Sequence, residues 1–195
     1  MTISPIPRRK PRADPAGFTL VEVLLATAIS ALMLAAILSA NFHLTRSSVR
    51  AVNYAELEPP IRRGIEALAS DLRAASGLVW NGPSDLTLTV PDSAGATRQV
   101  TYAWTSASAA FFRVAGADST VTAGRLYLIR GVPVAANGTS GVVFERLDRL
   151  GATATTNLLT KQIRLRVTAV RGAGSGAAAT RYESAVFLLR NKRDT

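Results

Sequence analysis

The sequence predicts an α+β fold in which a long amino-terminal helix is laid on an antiparallel β-sheet. Three observations carry that expectation: an apolar run at 18–42, an amphipathic stripe at 57–72, and short alternating runs after Gly77. The chain has 195 residues, 48% of them apolar and 18% charged, a composition that can build a core and argues against a wholly disordered chain.

The apolar run, FTLVEVLLATAISALMLAAILSANF, is 25 residues long and holds one ionisable side chain, Glu22. At about 1.5 Å rise per residue, about 20 such residues cross the hydrocarbon core of a bilayer. Arg8, Arg9, Lys10 and Arg12 stand just upstream, against one acid, Asp14. Basic flanks stay cytoplasmic, so the remainder of the chain is expected to be exported. Two plainer readings compete. A cleaved secretory signal would need a short apolar region and an Ala-x-Ala-like site, whereas Ser39 and Ala40 follow Leu38. An ordinary single-pass anchor explains everything except Glu22, since a carboxylate within an apolar span costs up to about 3 kcal/mol and marks a functional position.

The string Gly17-Phe18-Thr19-Leu20-Val21-Glu22, after a basic leader and before an apolar helix, resembles the processing site of type IV pilins and of the pseudopilins of type II secretion. The resemblance implies cleavage after Gly17 by a prepilin peptidase and methylation of the new Phe18 amine. It also implies that Glu22, fifth in the processed chain, neutralises a neighbouring subunit's amino terminus inside a filament. Physical chemistry agrees, because opposite charges in lipid or a helix bundle are tolerated chiefly as a pair.

Beyond the span, Leu57, Ile61, Ile65, Leu68 and Leu72 fall at helical spacing, which predicts a helix with one apolar face. Arg62, Arg63, Glu66, Asp71 and Arg73 lie mainly between those positions and are expected to face water or a partner. Pro59-Pro60 predicts a stop or kink near Glu58 with a restart at Pro60. The helix is expected to end near Ser76-Gly77, with the glycine as a left-handed cap.

After Gly77 the period changes. Leu86-Val90, Val100-Trp104 and Ile163-Ala169 alternate apolar and polar residues, the pattern of half-buried strands. Phe111-Val114, Leu126-Ile129, Val142-Leu147 and Tyr182-Leu189 are further strand candidates, giving about six to eight strands in all. Turns are expected at Pro91-Asp92-Ser93-Ala94-Gly95 and at Asn137-Gly138. Gly172-Ala173-Gly174-Ser175-Gly176 reads as the loop of a hairpin; without a strand before and a helix after, it does not read as a phosphate cradle.

The chain therefore divides into a basic leader (1–17, cleaved), a transmembrane or filament-core helix (18–42), an amphipathic helical segment (43–77) and an exported sheet domain (78–195). The closing strand through Phe187-Leu188-Leu189-Arg190-Asn191 and the helical segment Ser70-Asp71-Leu72-Arg73-Ala74-Ala75 also resemble the larger minor pseudopilins and tip-type minor pilins. The resemblance is greatest to the J-type minor pseudopilin of type II secretion, with W-type minor pilins of type IV pilus assembly and competence pseudopilins beside it. It implies a subunit held in the inner membrane with its carboxy-terminal domain in the periplasm, then assembled at or near a filament tip. Its partners would be prepilin peptidase, other minor and major pseudopilins or pilins, and the inner membrane assembly platform.

Other classes find less support. There is no cysteine and one histidine, His43, which removes thiolate chemistry and leaves little for histidine-based catalysis. The acids Asp71, Asp85, Asp92, Asp118, Glu145, Asp148 and Glu183 are scattered without a spacing that suggests paired carboxylates or a calcium loop. No enzyme activity, cofactor or metal is expected, with a membrane-anchored periplasmic enzyme or binding module as the rival reading. Of the net charge of +10, part lies in the basic leader and the rest is mostly spread along strands, as at Arg164, Arg166 and Arg171, so nucleic acid is not the first expectation.

Overall fold

The computed structural model describes residues 17–133, 140–172 and 177–192, within two compact units, Met1–Thr45 and Arg46–Thr195. One helix, α1 (Leu20–Ala74), contributes to both. Eight strands follow: β1 (Gly77–Gly82), β2 (Asp85–Pro91), β3 (Thr97–Thr105), β4 (Ala110–Ala115), β5 (Leu126–Arg130), β6 (Val142–Leu147), β7 (Gln162–Arg171) and β8 (Ala179–Leu188).

In the first unit, α1 is exposed along its whole length from Leu20. It is long and apolar enough to cross a membrane. Its hydroxyls fold back on the helix, Thr27 Oγ1 donating to the Leu24 carbonyl at 2.9 Å and Thr45 Oγ1 to the Asn41 carbonyl at 2.9 Å. Polar atoms satisfied in this way are compatible with an apolar medium.

In the second unit, the stripe expected from the sequence is the buried face: Leu57, Ile61, Leu68 and Leu72 are each at most 3% exposed, and Ile65 packs against the same core. Each such side chain contributes about 1.5 to 3 kcal/mol of burial. Gly64 lies on that face because β5 comes close there. A Cβ at this position would stand 3.0 Å from Ile129 Cγ1.

The expected break at Pro59-Pro60 does not interrupt the helix, which is assigned through both prolines. The prolines withdraw the hydrogen bonds that would reach the carbonyls of Ala55 and Glu56. Burial of Leu57 and Ile61 on either side holds the backbone in the helix. The helix ends at Ala74, and Gly77 is not a left-handed cap; it begins β1 opposite Thr89. A Cβ there would stand 3.2 Å from Thr89 Oγ1, so close approach across the pair accounts for the glycine.

All pairings are antiparallel, but the strands form two sheets rather than one, β1-β2-β3-β4-β5 and β6-β7-β8. The three strands expected from alternation and the four further candidates are all present, and β1 is an eighth that the sequence reading did not single out. One core runs from the helix through both sheets, with Leu88, Tyr102 and Phe111 from the first and Phe144, Leu165 and Val167 from the second. The sheets are tied by backbone bonds: Phe144 N–H to the Pro83 carbonyl at 2.6 Å and Val170 N–H to the Gly131 carbonyl at 2.7 Å. Gly131 has φ +73°, and a Cβ on it would lie 2.5 Å from the Val170 carbonyl oxygen, so only glycine fits this junction.

The β2–β3 turn forms where Pro91–Gly95 predicts it. Asp92 N–H donates to the Ala96 carbonyl at 2.7 Å, Ala94 N–H donates to Asp92 Oδ1 at 2.9 Å, and Gly95 takes φ +84°. β7 and β8 pair in register up to Arg171 and Ala179, as a hairpin requires. Residues 173–176 of its loop, the Asn137-Gly138 turn and the leader residues Arg8, Arg9, Lys10 and Arg12 lie outside the described residues.

Candidate functional site

The Gly17–Glu22 string sits where the extended chain becomes helix. Gly17, Phe18 and Thr19 precede the first helical residue, Leu20. Thr19 caps the helix, since Glu22 N–H donates to Thr19 Oγ1 at 3.3 Å and Val23 N–H donates to the Thr19 carbonyl at 3.2 Å. Thr19 and Glu22 thus hold the first and last positions of a Thr-x-x-Glu capping pattern, which places the carboxylate at the positive end of the helix dipole.

Gly17 and Phe18 are open to solvent, Phe18 at 82% exposure. Nothing lies within 4 Å of where a Cβ on Gly17 would stand, so packing among the described residues does not require glycine at that position. Glu22 is exposed, and its carboxylate has no hydrogen-bond or ion-pair partner among the described residues. Around it, Leu20, Val21, Leu24, Leu25 and Leu32 are all at least 60% exposed. An apolar surface of this extent needs lipid or other helices to cover it.

The acids of the second unit are occupied by local structure. Asp85 accepts from Asn81 Nδ2 at 2.9 Å, Asp118 from the Thr120 N–H at 2.7 Å, and Asp148 from the Leu150 N–H at 2.8 Å. The two Thr120 hydrogen bonds, side chain and then backbone, hold the Asp118 carboxyl below its ordinary value. Glu145 on β6 pairs with Arg164 and Arg166 on β7, and Glu183 with Arg181 on β8.

Asp71 is a correction to the expectation that it faces water or a partner. Its Oδ2 accepts from Tyr102 Oη at 2.7 Å and from Arg113 Nε at 2.9 Å, and it is 19% exposed. The sequence signal available was weak: Asp71 borders the stripe, next to Leu72 and three residues beyond Leu68, while its partners are on β3 and β4. Among the described residues no group of three or more His, Asp or Glu side chains converges as a metal site would.

Comparison with known proteins bears on the amino-terminal segment. Residues 12–38 match the family profile described as the prokaryotic N-terminal methylation motif. The matched stretch contains Gly17, Phe18 and Glu22 and the exposed apolar helix as far as Leu38. It supports a type IV pilin-like protein, implying processing by prepilin peptidase and assembly with other pilins. No curated protein and no solved structure matches the chain.

Proposed function

We propose that the chain is a minor pseudopilin of a type II secretion pseudopilus, cleaved after Gly17, methylated on Phe18 and assembled at or near the filament tip. Its role is structural rather than catalytic. The observation that carries this reading is the sequence Gly17-Phe18-Thr19-Leu20-Val21-Glu22 at the start of an exposed apolar helix. A peptidase needs its bond accessible, and Gly17-Phe18 precedes the helix in exposed chain. The glycine that packing does not require and the carboxylate without a partner among the described residues are accounted for together if one is read by a peptidase and the other by a neighbouring subunit's new amine.

The helix stores the subunit in the inner membrane with the second unit in the periplasm. Moving an apolar helix from lipid into a helix bundle gains little hydrophobic energy, so packing of small residues such as Ala28, Ala31 and Ala35 and the Glu22 charge pair supply specificity. The sheet unit, larger than a small major subunit would carry, supports a minor, tip-proximal place.

The choice of secretion over pilus machinery is tested by deleting the gene in its host and complementing with the parent or Glu22→Ala. Secreted enzymes retained in the periplasm of the deletion strain, and released again by the parent alone, support the proposal. Normal secretion with loss of surface pili would assign the chain to pilus assembly instead.

A further inference from the structure

The β6–β7 connection and the end of β8 build a groove that the filament reading does not use. One end is a cavity of about 540 Å³ lined by Arg149, Lys161, Arg190 and Lys192 together with Leu188 and Leu189. No acidic side chain lines it among the described residues. The other end, about 560 Å³, shares Arg149 and Lys161 and adds Leu150, Leu158 and Leu159. Those three leucines are 92%, 49% and 53% exposed.

The walls are fixed by backbone bonds. Asp148 N–H donates to the Ala152 carbonyl at 2.8 Å, which closes the turn that lifts Leu150 into solvent. Lys161 N–H donates to the Leu147 carbonyl at 2.9 Å, and Leu189 N–H to the Lys161 carbonyl at 2.9 Å. Lys192 Nζ reaches the Leu158 carbonyl at 2.9 Å, drawing the cationic and leucine ends together. Asp148, the one acid at the leucine end, is engaged by the N–H groups of Leu150 and Ala152 at 2.8 and 2.9 Å. Burial, and to a lesser degree the neighbouring Lys161 charge, hold the Lys192 ammonium below its ordinary value.

We propose that this groove docks an acidic segment of a partner polypeptide, with carboxylates along its cationic wall and apolar side chains against the leucines. Charge complementarity selects the acidic partner. Exposed leucines beside cations select a ligand with apolar anchors rather than a small anion. The surface is concave, which suits an inserted chain better than the flat face of an anionic bilayer. The proposal is independent of the filament reading, because it concerns the second unit alone.

The full chain in phosphatidylcholine nanodiscs is titrated with a short fluorescein-labelled peptide of repeating glutamate–glutamate–leucine, with its lysine-for-glutamate counterpart, and with soluble dihexanoyl phosphatidylglycerol. The acidic peptide is expected to bind, to weaken as salt is raised, and to lose about tenfold in affinity in Arg149→Gln/Arg190→Gln and again in Leu150→Ser/Leu159→Ser. These four side chains are exposed, and an unchanged melting curve shows that each variant is folded. Equal affinity for parent and variants, or no binding of the acidic peptide, overturns the proposal. Tighter binding of the lipid than of the peptide overturns it in favour of a membrane surface.

Discussion

The Asp71 carboxylate on α1 accepts the Tyr102 hydroxyl of β3 at 2.7 Å, and Arg113 of β4 donates to the same oxygen at 2.9 Å. This contact fixes the helix in register on the first sheet with direction, where the apolar stripe beside it supplies area without direction. Tyr102 is fully buried and Asp71 and Arg113 are each about one-fifth exposed, so the three groups exchange little with water.

Replacing Asp71 by Ala therefore leaves a buried hydroxyl and a largely buried guanidinium without their acceptor. The expected loss is about 1 to 3 kcal/mol of stability, with Asp71→Asn losing less because the amide oxygen still accepts one bond. Urea unfolding of both variants in neutral detergent checks the order.

Tyr102 also sets an alkaline limit. Burial first, then the hydrogen bond and charge of Asp71, push its phenol well above the ordinary tyrosine value. In the unfolded chain it ionises near pH 10, so above that pH the unfolded state binds fewer protons than the folded one. Its contribution to stability is complete below about pH 10 and falls as pH rises beyond it. Tyr102 is expected to show its phenolate absorbance only as the chain unfolds, which an alkaline titration followed by ultraviolet absorbance and circular dichroism together checks.

Gly131 holds the junction between the sheets. Alanine there meets both a positive φ and a carbonyl oxygen at 2.5 Å, so Gly131→Ala is expected to cost about 2 to 4 kcal/mol. Gly17→Ala meets no described neighbour and is expected to leave the melting temperature unchanged while impairing processing. Thermal melts of the two variants, with the extent of processing of Gly17→Ala, separate a glycine required by the fold from one required by a peptidase.

Glu22→Leu makes the span more apolar, which favours insertion by up to about 3 kcal/mol. The variant is expected to remain in the membrane fraction at parental levels or above, yet to fail to crosslink to other subunits in sheared filament preparations. Parental crosslinking would remove Glu22 from assembly.

What the sequence disclosed was local. The apolar span, the helix stripe and seven strands are each written in spacings of a few residues, and the structure places all of them. The helix through Pro59-Pro60 was not legible, because packing of Leu57 and Ile61 overrides the local preference. Nor was β1, whose first residue, Gly77, was expected to cap the helix. The split into two sheets depends on bonds such as Val170 to Gly131, which join residues far apart in the chain. Asp71 was misplaced for the same reason, since its partners lie 31 and 42 residues away. Of the candidate site, the string holding Gly17, Phe18 and Glu22 was legible as a motif, because it is contiguous in sequence and falls within the matched residues 12–38.

The central claim is processing at Gly17-Phe18, and the mass of the mature amino-terminal peptide tests it directly. Protein is purified from host membranes with and without the prepilin peptidase. The account predicts a peptide beginning at methylated Phe18 in the first and an unprocessed terminus, upstream of Gly17, in the second. The same Met1 or Thr2 terminus in both strains, or a start near Asn41, would contradict it.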